Sequence, residues 1–328
     1  MSTEAEKKKK VVILATGGTI AGSGQKGKET GYVSGTLSVD DILKDIPFVS
    51  EVADIETVQI CNVNSDDITS DIWIDMACKI NEMDSEDIAG FVVTHGTDTL
   101  EETAYFLDMT VKTKKCVVLT GSMRPATALS ADGPLNLYQA ICVAASGKSD
   151  GKGVLVLFSN NIFSARSVKK VNTYNVMAVS AGESGSIGVI RNNEVEFHDA
   201  PVKAHTVMTE FKVERGSSLP KVQIVYFYVD ADPELLRYAA ENSDGLIIAG
   251  AGAGEFSRRF MDVIKELKKP VVVSSRIYDG MITQDSVLCE NTVAANDLSP
   301  QKAAVLLRLA LLNKTASHTD LIRIFGTY

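Results

Sequence analysis

The sequence predicts an α/β fold in two domains: a larger N-terminal domain with a doubly wound, mainly parallel sheet, and a smaller C-terminal α/β domain with a parallel sheet of its own. Three observations predict it. Short apolar runs (11–15 VVILA, 91–93 FVV, 116–119 CVVL, 154–158 VLVLF, 245–249 GLIIA, 270–274 PVVVS) alternate along the chain with helical patterns. These runs are apolar at every position rather than at every second one, as strands are when helices cover both faces of a parallel sheet. The pattern then fades over 200–220, where polar residues, Gly216-Ser217-Ser218 and Pro220 read as a connection, before the alternation resumes. The expected boundaries are 1–199, a linker over 200–219, and 220–328.

The first strand, 11–15, runs into TGGTIAGS (16–23), a glycine turn that presents the hydroxyls of Thr16 and Thr19. Residues 22–36 lack apolar periodicity and read as a loop of the length lids use; Tyr32 within it is either an ordinary loop aromatic or a lid residue that carries a phenol to Thr19. A helix over 38–46 opens on a serine cap with early acids. The strand 57–63 leads into Asn64-Ser65-Asp66-Asp67, a turn suited to a polar ligand, and 71–81 is an amphipathic helix. The strand 91–94 enters a turn holding Thr94, His95, Thr97, Asp98 and Thr99, and a helix follows over 101–110. The strand 116–120 enters Gly121-Ser122-Met123-Arg124-Pro125, the helix 132–145 opens on Gly-Pro, and 154–158 is the next strand. Two short antiparallel strands, 182–191 and 194–198, flank Asn192-Asn193. Beyond the linker come strand 222–228, helix 233–241, strand 245–249, helix 258–267, strand 270–274, and helix 300–312 with a proline in its first turn. In such sheets ligands sit beyond the carboxyl ends of the strands, where Thr19, Ser65, Thr97 and Ser122 fall.

Composition removes several classes of function. The net charge is −9, with acids spread along the chain, whereas a nucleic-acid partner needs a clustered basic face; the one basic run, 7–10, reads as a solvated tail. No apolar run reaches the roughly 18 residues of a membrane span, and the polar residues 1–10 lack the apolar core of a signal peptide. The five cysteines are odd in number, widely spaced and without a CxxC, which suits core residues of a cytoplasmic protein, the alternative being a periplasmic or secreted protein whose leader has been removed; the four histidines show no metal-ligand spacing. The glycine strings TGGTIAGSG and GAGAG (250–254) do not keep the dinucleotide fingerprint, and there is no phosphate-binding GxxxxGK[ST]. No metal and no cofactor are expected.

A threonine hydroxyl is a weak nucleophile until a neighbour activates it. Thr97-Asp98 sets a hydroxyl beside a carboxylate, and a lysine from elsewhere, Lys169 or Lys170, would bridge the two. The plainer reading is a helix cap at Thr97-Asp98 and two solvated lysines.

ATGGTIAGS (15–23), THGTDTLEETA (94–104), GSMRP (121–125), SADGPLNL (130–137) and SPQKAAVLLRLAL (299–311) together resemble the bacterial-type L-asparaginase and glutaminase-asparaginase family, in order over nearly the whole chain. The resemblance implies an amidohydrolase that converts L-asparagine to L-aspartate and ammonia without metal or cofactor, with lower activity on L-glutamine. It implies Thr19 as nucleophile, Tyr32 as its hydrogen-bonding lid residue, and Thr97, Asp98 and Lys170 (in RSVKKVNT) as a second polar trio. The implied substrate site is Ser65, Asp66, Thr97 and Asp98 with Gly18 and Ser122; Ser65 and Asp98 would hold the α-carboxylate and α-ammonium. It further implies a homotetramer, a dimer of dimers, in which a partner's small domain completes each site. The chain departs from many relatives in having Asp66 where Gln or Glu is usual, Ala253 where Asn is usual, and Val287 where Glu is usual. A less polar partner wall of that kind is expected to disfavour glutamine. The alternative is an amino-acid-binding protein that keeps the fold with little turnover.

Overall fold

The computed structural model describes residues 9–24, 35, 36, 38–46 and 48–328. The described chain divides into two compact units between Val202 and Lys203.

In the first unit, β1 (Lys10–Gly17) is followed by the short helices α1 (Val39–Lys44) and α2 (Val49–Val52). Ser38 starts α1 with a reciprocal cap: its side chain accepts from Asp41 N, and the Asp41 carboxylate accepts from the Ser38 backbone. Then come β2 (Asp54–Val63), α3 (Ser70–Met83), β3 (Ile88–Thr94), α4 (Leu100–Thr110), β4 (Cys116–Thr120), α5 (Gly133–Ala145) and β5 (Val154–Phe158). β6 (Asn161–Ser164), the two-residue strands β7 (Lys169–Lys170) and β8 (Val179–Ser180), β9 (Gly188–Arg191) and β10 (Glu194–Phe197) complete the unit.

The large sheet has the order β10-β9-β6-β5-β4-β3-β1-β2. β2, β1, β3, β4 and β5 run parallel, and β6, β9 and β10 extend the sheet antiparallel. Both faces are buried, as the unbroken apolar runs require. On one face Val11, Ile13, Val92, Val118 and Leu155 pack with Leu137, Ala140, Ile141 and Ala144 of α5 and Val39 and Ile42 of α1. The alternate residues Val12, Leu14, Phe91, Val93 and Val117 are equally buried. They lie on the face of α3 and α4, where Trp73 stacks on Phe106 with ring centroids 5.1 Å apart.

The order places β1 between β2 and β3. The chain steps from β1 to β2 in one direction, then crosses back over β1 to reach β3. This reversal opens a crevice at the carboxyl ends of β1, β2 and β3, the usual ligand position in an open parallel sheet. One expectation is corrected here: 182–191 is not a single strand. A 3-10 turn occupies Gly182–Ser184 and only Gly188–Arg191 is strand, because Gly182 and Gly185 take positive φ (52° and 66°), which breaks an extended run.

The second unit is a parallel four-stranded sheet in the order β11 (Val222–Tyr226), β12 (Gly245–Gly250), β13 (Val271–Ser275), β14 (Thr292–Ala294). Its helices are α6 (Glu234–Glu241), α7 (Arg258–Glu266), α8 (Pro300–Leu312) and α9 (His318–Thr327). Within 203–219, Phe211 is fully buried and meets Tyr328, ring centroids 5.0 Å apart. β14 and α9 have no counterpart in the sequence reading: three residues are too few to show a period, and α9 offers only Leu321, Ile324 and Phe325 as a buried stripe. Among the described residues, no helix is long and apolar enough to cross a membrane.

Candidate active site

The crevice at the reversal is a cleft of about 610 Å³ lined by Gly18, Thr19, Asn62, Val63, Asn64, Ser65, Asp66, Asp67, Gly96 and Asp98. All of these follow, or end, β1, β2 or β3, so three sequence-distant turns meet over one sheet edge.

Backbone contact allows the turns to meet. Gly18 has φ +80°, and a Cβ built on it would lie 2.4 Å from Gly96 N. Only a residue without a side chain accepts that hand of backbone and that approach together. Gly96 in turn rests on Ser65: its Cβ position would be 2.8 Å from Ser65 Oγ. Hydrogen bonds then fix the register of the turns. Thr16 Oγ1 donates to Thr94 O at 2.8 Å, Asp98 N to Ser65 Oγ at 3.2 Å, and Thr99 Oγ1 to Ser65 O at 2.6 Å. Thr16, whose hydroxyl the sequence placed on the presented turn, is therefore a buried strand tie. Thr19 lies one 3-10 turn further on, 8% exposed, and faces the cleft.

Lys170 arrives on β7, where successive side chains alternate in direction. Lys170 Nζ donates to Thr97 Oγ1 at 2.8 Å and to Asp98 Oδ1 at 2.6 Å. The Thr97 hydroxyl donates its own proton to Met123 Sδ at 3.5 Å. Thr97-Asp98 is thus not the cap of α4; the cap position is Thr99, whose hydroxyl is turned to Ser65. The Lys170 side chain is 17% exposed and the Asp98 side chain 67%, so this ion pair opens to the cleft at the acid.

The 121–124 loop is held from α5. Asp132 accepts from Met123 N and Arg124 N, each at 2.9 Å, and Asn136 Nδ2 donates to Gly121 O at 3.0 Å. Ser122 is fully buried, does not line the cleft, and donates to Arg124 O at 2.9 Å within its own loop. Tyr32 lies outside the described residues. Ala253 is exposed and Val287 half-buried, both in the second unit. Sequence reasoning missed Asn62, Val63 and Gly96 as lining and Met123 as the partner of Thr97. Their signal was position: each ends a strand or sits in a turn just beyond one. Among the described residues, no group of three or more His, Cys, Asp or Glu is placed to hold a metal ion.

Beneath the 94–99 turn, a directional chain of hydrogen bonds runs through buried side chains. Trp73 Nε1 donates to Thr103 Oγ1 at 2.7 Å, Thr103 Oγ1 lies 2.9 Å from His95 Nε2, and His95 Nδ1 lies 2.7 Å from Gly96 O. A neutral His95 protonated on Nδ1 satisfies every link, with Thr103 donating to Nε2. Burial pushes the imidazole down from 6.5 to about 4, opposed only by its bond to Gly96. The unfolded chain therefore binds a proton that the folded chain refuses between those values. The stability due to neutral burial is complete above pH 6.5 and is lost as pH falls towards 4. In urea unfolding, His95→Gln is expected to shrink the stability difference between pH 7 and pH 5 by about 2 kcal/mol relative to the parent; an unchanged difference would contradict this.

Residues 10–203 match the family model described as Asparaginase, N-terminal, and residues 221–325 match the Glutaminase/Asparaginase C-terminal domain. The chain belongs to the asparaginase family. It is 45% identical over 308 residues to the probable L-asparaginase periplasmic of Haemophilus influenzae (92% of this chain, 88% of that one). It is 40% identical over 325 residues to L-asparaginase 2 of Escherichia coli (97% and 93%). The crystal structure of a probable cytoplasmic L-asparaginase from Campylobacter jejuni superposes with a TM-score of 0.93 at 41% identity, covering 98% of this chain and 100% of that one. The asparaginase-family motifs read in the sequence are the turns that build the cleft: 15–23 supplies Gly18 and Thr19, and 94–104 supplies Gly96 and Asp98.

Proposed function

We propose that the protein hydrolyses L-asparagine to L-aspartate and ammonia through a threonyl ester on Thr19, with lower activity on L-glutamine. The observation that carries the reading is Lys170 Nζ bridging Thr97 Oγ1 and Asp98 Oδ1 at 2.8 and 2.6 Å beside a cleft that Thr19 lines.

Asp66, Asp67 and Asp98 give the cleft an anionic wall that suits an α-ammonium group. Ser65 Oγ accepts from Asp98 N and keeps its own proton to donate to an α-carboxylate. In the first half-reaction Thr19 Oγ attacks the side-chain amide carbon, the hydroxyl proton passes to the amide nitrogen, the C–N bond breaks and ammonia leaves. In the second half, water attacks the ester carbon, the bond from that carbon to Thr19 Oγ breaks, a water proton returns to Thr19 Oγ, and aspartate leaves. An ammonium held on Thr97 lowers the cost of drawing a proton from that hydroxyl, so the trio supplies a polarised hydroxyl beside the cleft that Thr19 lines.

The test is ammonia release from asparagine and from glutamine, with acid-quenched samples digested and mapped by mass spectrometry. The expected result is an aspartyl ester on Thr19 and a kcat/KM for asparagine at least about 10-fold above that for glutamine, the discrimination typical of one methylene in a fitted pocket. Bound asparagine with no ammonia released would leave an amino-acid-binding protein. Turnover with the ester on another residue would refute the nucleophile.

A further inference from the structure

Lys170 is held at both ends by one rigid element. Its amine reaches Thr97 and Asp98 in the turn before α4. Its backbone N–H donates to Glu101 Oε2, in the first turn of α4, at 2.7 Å across 69 residues of sequence. The strand pairing explains why that donor is available. β7 pairs with β8 through Lys169↔Ser180 and Lys170↔Val179, and the adjacent Val171 N donates to Ala178 O at 2.7 Å. Neighbouring N–H groups on a strand point to opposite edges, so that of Lys170 points away from β8, to an edge where no further strand of this ribbon lies. A carboxylate at a helix N-terminus is favoured by the helix dipole, and here it caps the open edge of the strand.

We infer that Glu101 is the positioning residue for Lys170: it locks the lysine's backbone to the helix that directly follows the Thr97-Asp98 turn, so the amine keeps its two bonds as the cleft fills and empties. Without Glu101, the Lys170 backbone loses its bond to α4, and the amine is placed on Thr97 and Asp98 by the tip of a long side chain. Misplacement of a reacting group by about 1 Å can cost 10²-fold in rate. This inference rests on the role proposed above for the Thr97–Asp98–Lys170 trio.

The experiment is steady-state hydrolysis of asparagine by the full chain carrying Glu101→Ala, Glu101→Gln, Lys170→Met, or Lys170→Met with Glu101→Ala, the slow variants followed over long incubations. Glu101→Ala is expected to lower kcat by about 30-fold with KM within about 3-fold, a loss in placement rather than in binding. Glu101→Gln, whose amide oxygen still accepts from Lys170 N, is expected to recover most of that loss. In the Lys170→Met background, Glu101→Ala is expected to change kcat by less than about 2-fold, because there is no amine left to place. A parent-like kcat in Glu101→Ala while Lys170→Met is inactive overturns the inference and leaves the trio standing. So does an equal fold-loss in both backgrounds, or a Glu101→Gln no better than alanine. A parent-like rate in Lys170→Met overturns the trio itself, and this inference with it.

Discussion

Thr19→Ala is expected to lower kcat for asparagine by at least about 10⁴-fold while the protein still folds and binds the amino acid, the range seen when a covalent nucleophile is removed. The site explains why the two effects separate. The groups proposed to grip the substrate's backbone, Ser65, Asp66 and Asp98, stand on the β2 and β3 turns, whereas Thr19 stands on the β1 turn. Thr19 lies in a three-residue 3-10 turn, where alanine meets no unusual backbone demand, since the positive φ angles belong to Gly17 and Gly18. Thr19→Ser keeps an oxygen at the same position and is expected to retain far more activity than alanine. Ammonia assays paired with calorimetric asparagine titration check both statements. A Thr19→Ala protein working within about 10-fold of the parent would remove the acyl-enzyme route altogether.

Gly18→Ala is expected to cost the first unit roughly 3–5 kcal/mol, summing backbone strain and steric overlap, and to abolish activity. Its Cβ would sit 2.4 Å from Gly96 N and 2.6 Å from Gly96 Cα, both backbone atoms of β3's turn, so no side chain can rotate out of the way. Relief requires the β1 and β3 turns to part, which opens the floor of the cleft and draws Thr19 away from Thr97. Gly147 separates strain from overlap: its φ is +71°, of the same hand, but its Cβ would meet nothing within 4 Å. Gly147→Ala is therefore expected to cost only about 1 kcal/mol and to leave turnover unaltered. Thermal and urea unfolding of the two variants beside the parent measure the contrast. Equal losses would show that contact with Gly96 contributes nothing.

Several features are legible in the sequence itself. The capped helix at Ser38 and the fully apolar strands follow from local pattern, because a helix start and a two-sided buried strand each leave a signature within a few residues. The positions of Thr19, Ser65, Thr97 and Ser122 beyond strand ends followed from the same alternation. Their directions did not. Thr16 and Thr19 are both turn threonines in sequence, yet one ties β1 to β3 and the other faces the cleft. Ser122 sits in the right loop but spends its hydroxyl on Arg124 O. Lys169 and Lys170 are adjacent and chemically identical; their chemistry left the choice open, the family resemblance pointed to Lys170, and the two-residue strand carries that lysine to Thr97.

From its sequence alone this chain was determined to be a succession of parallel strands and helices in two domains, with hydroxyl-rich turns at strand ends, since these depend on contacts between near neighbours. Tertiary structure alone decided that β1 lies between β2 and β3, that Gly18 touches Gly96, and that Lys170 is gripped by both Asp98 and Glu101. The reason is physical: a side chain's chemistry is local, but the partner it meets is chosen by the crossing of strands tens of residues apart, and no local period encodes that crossing.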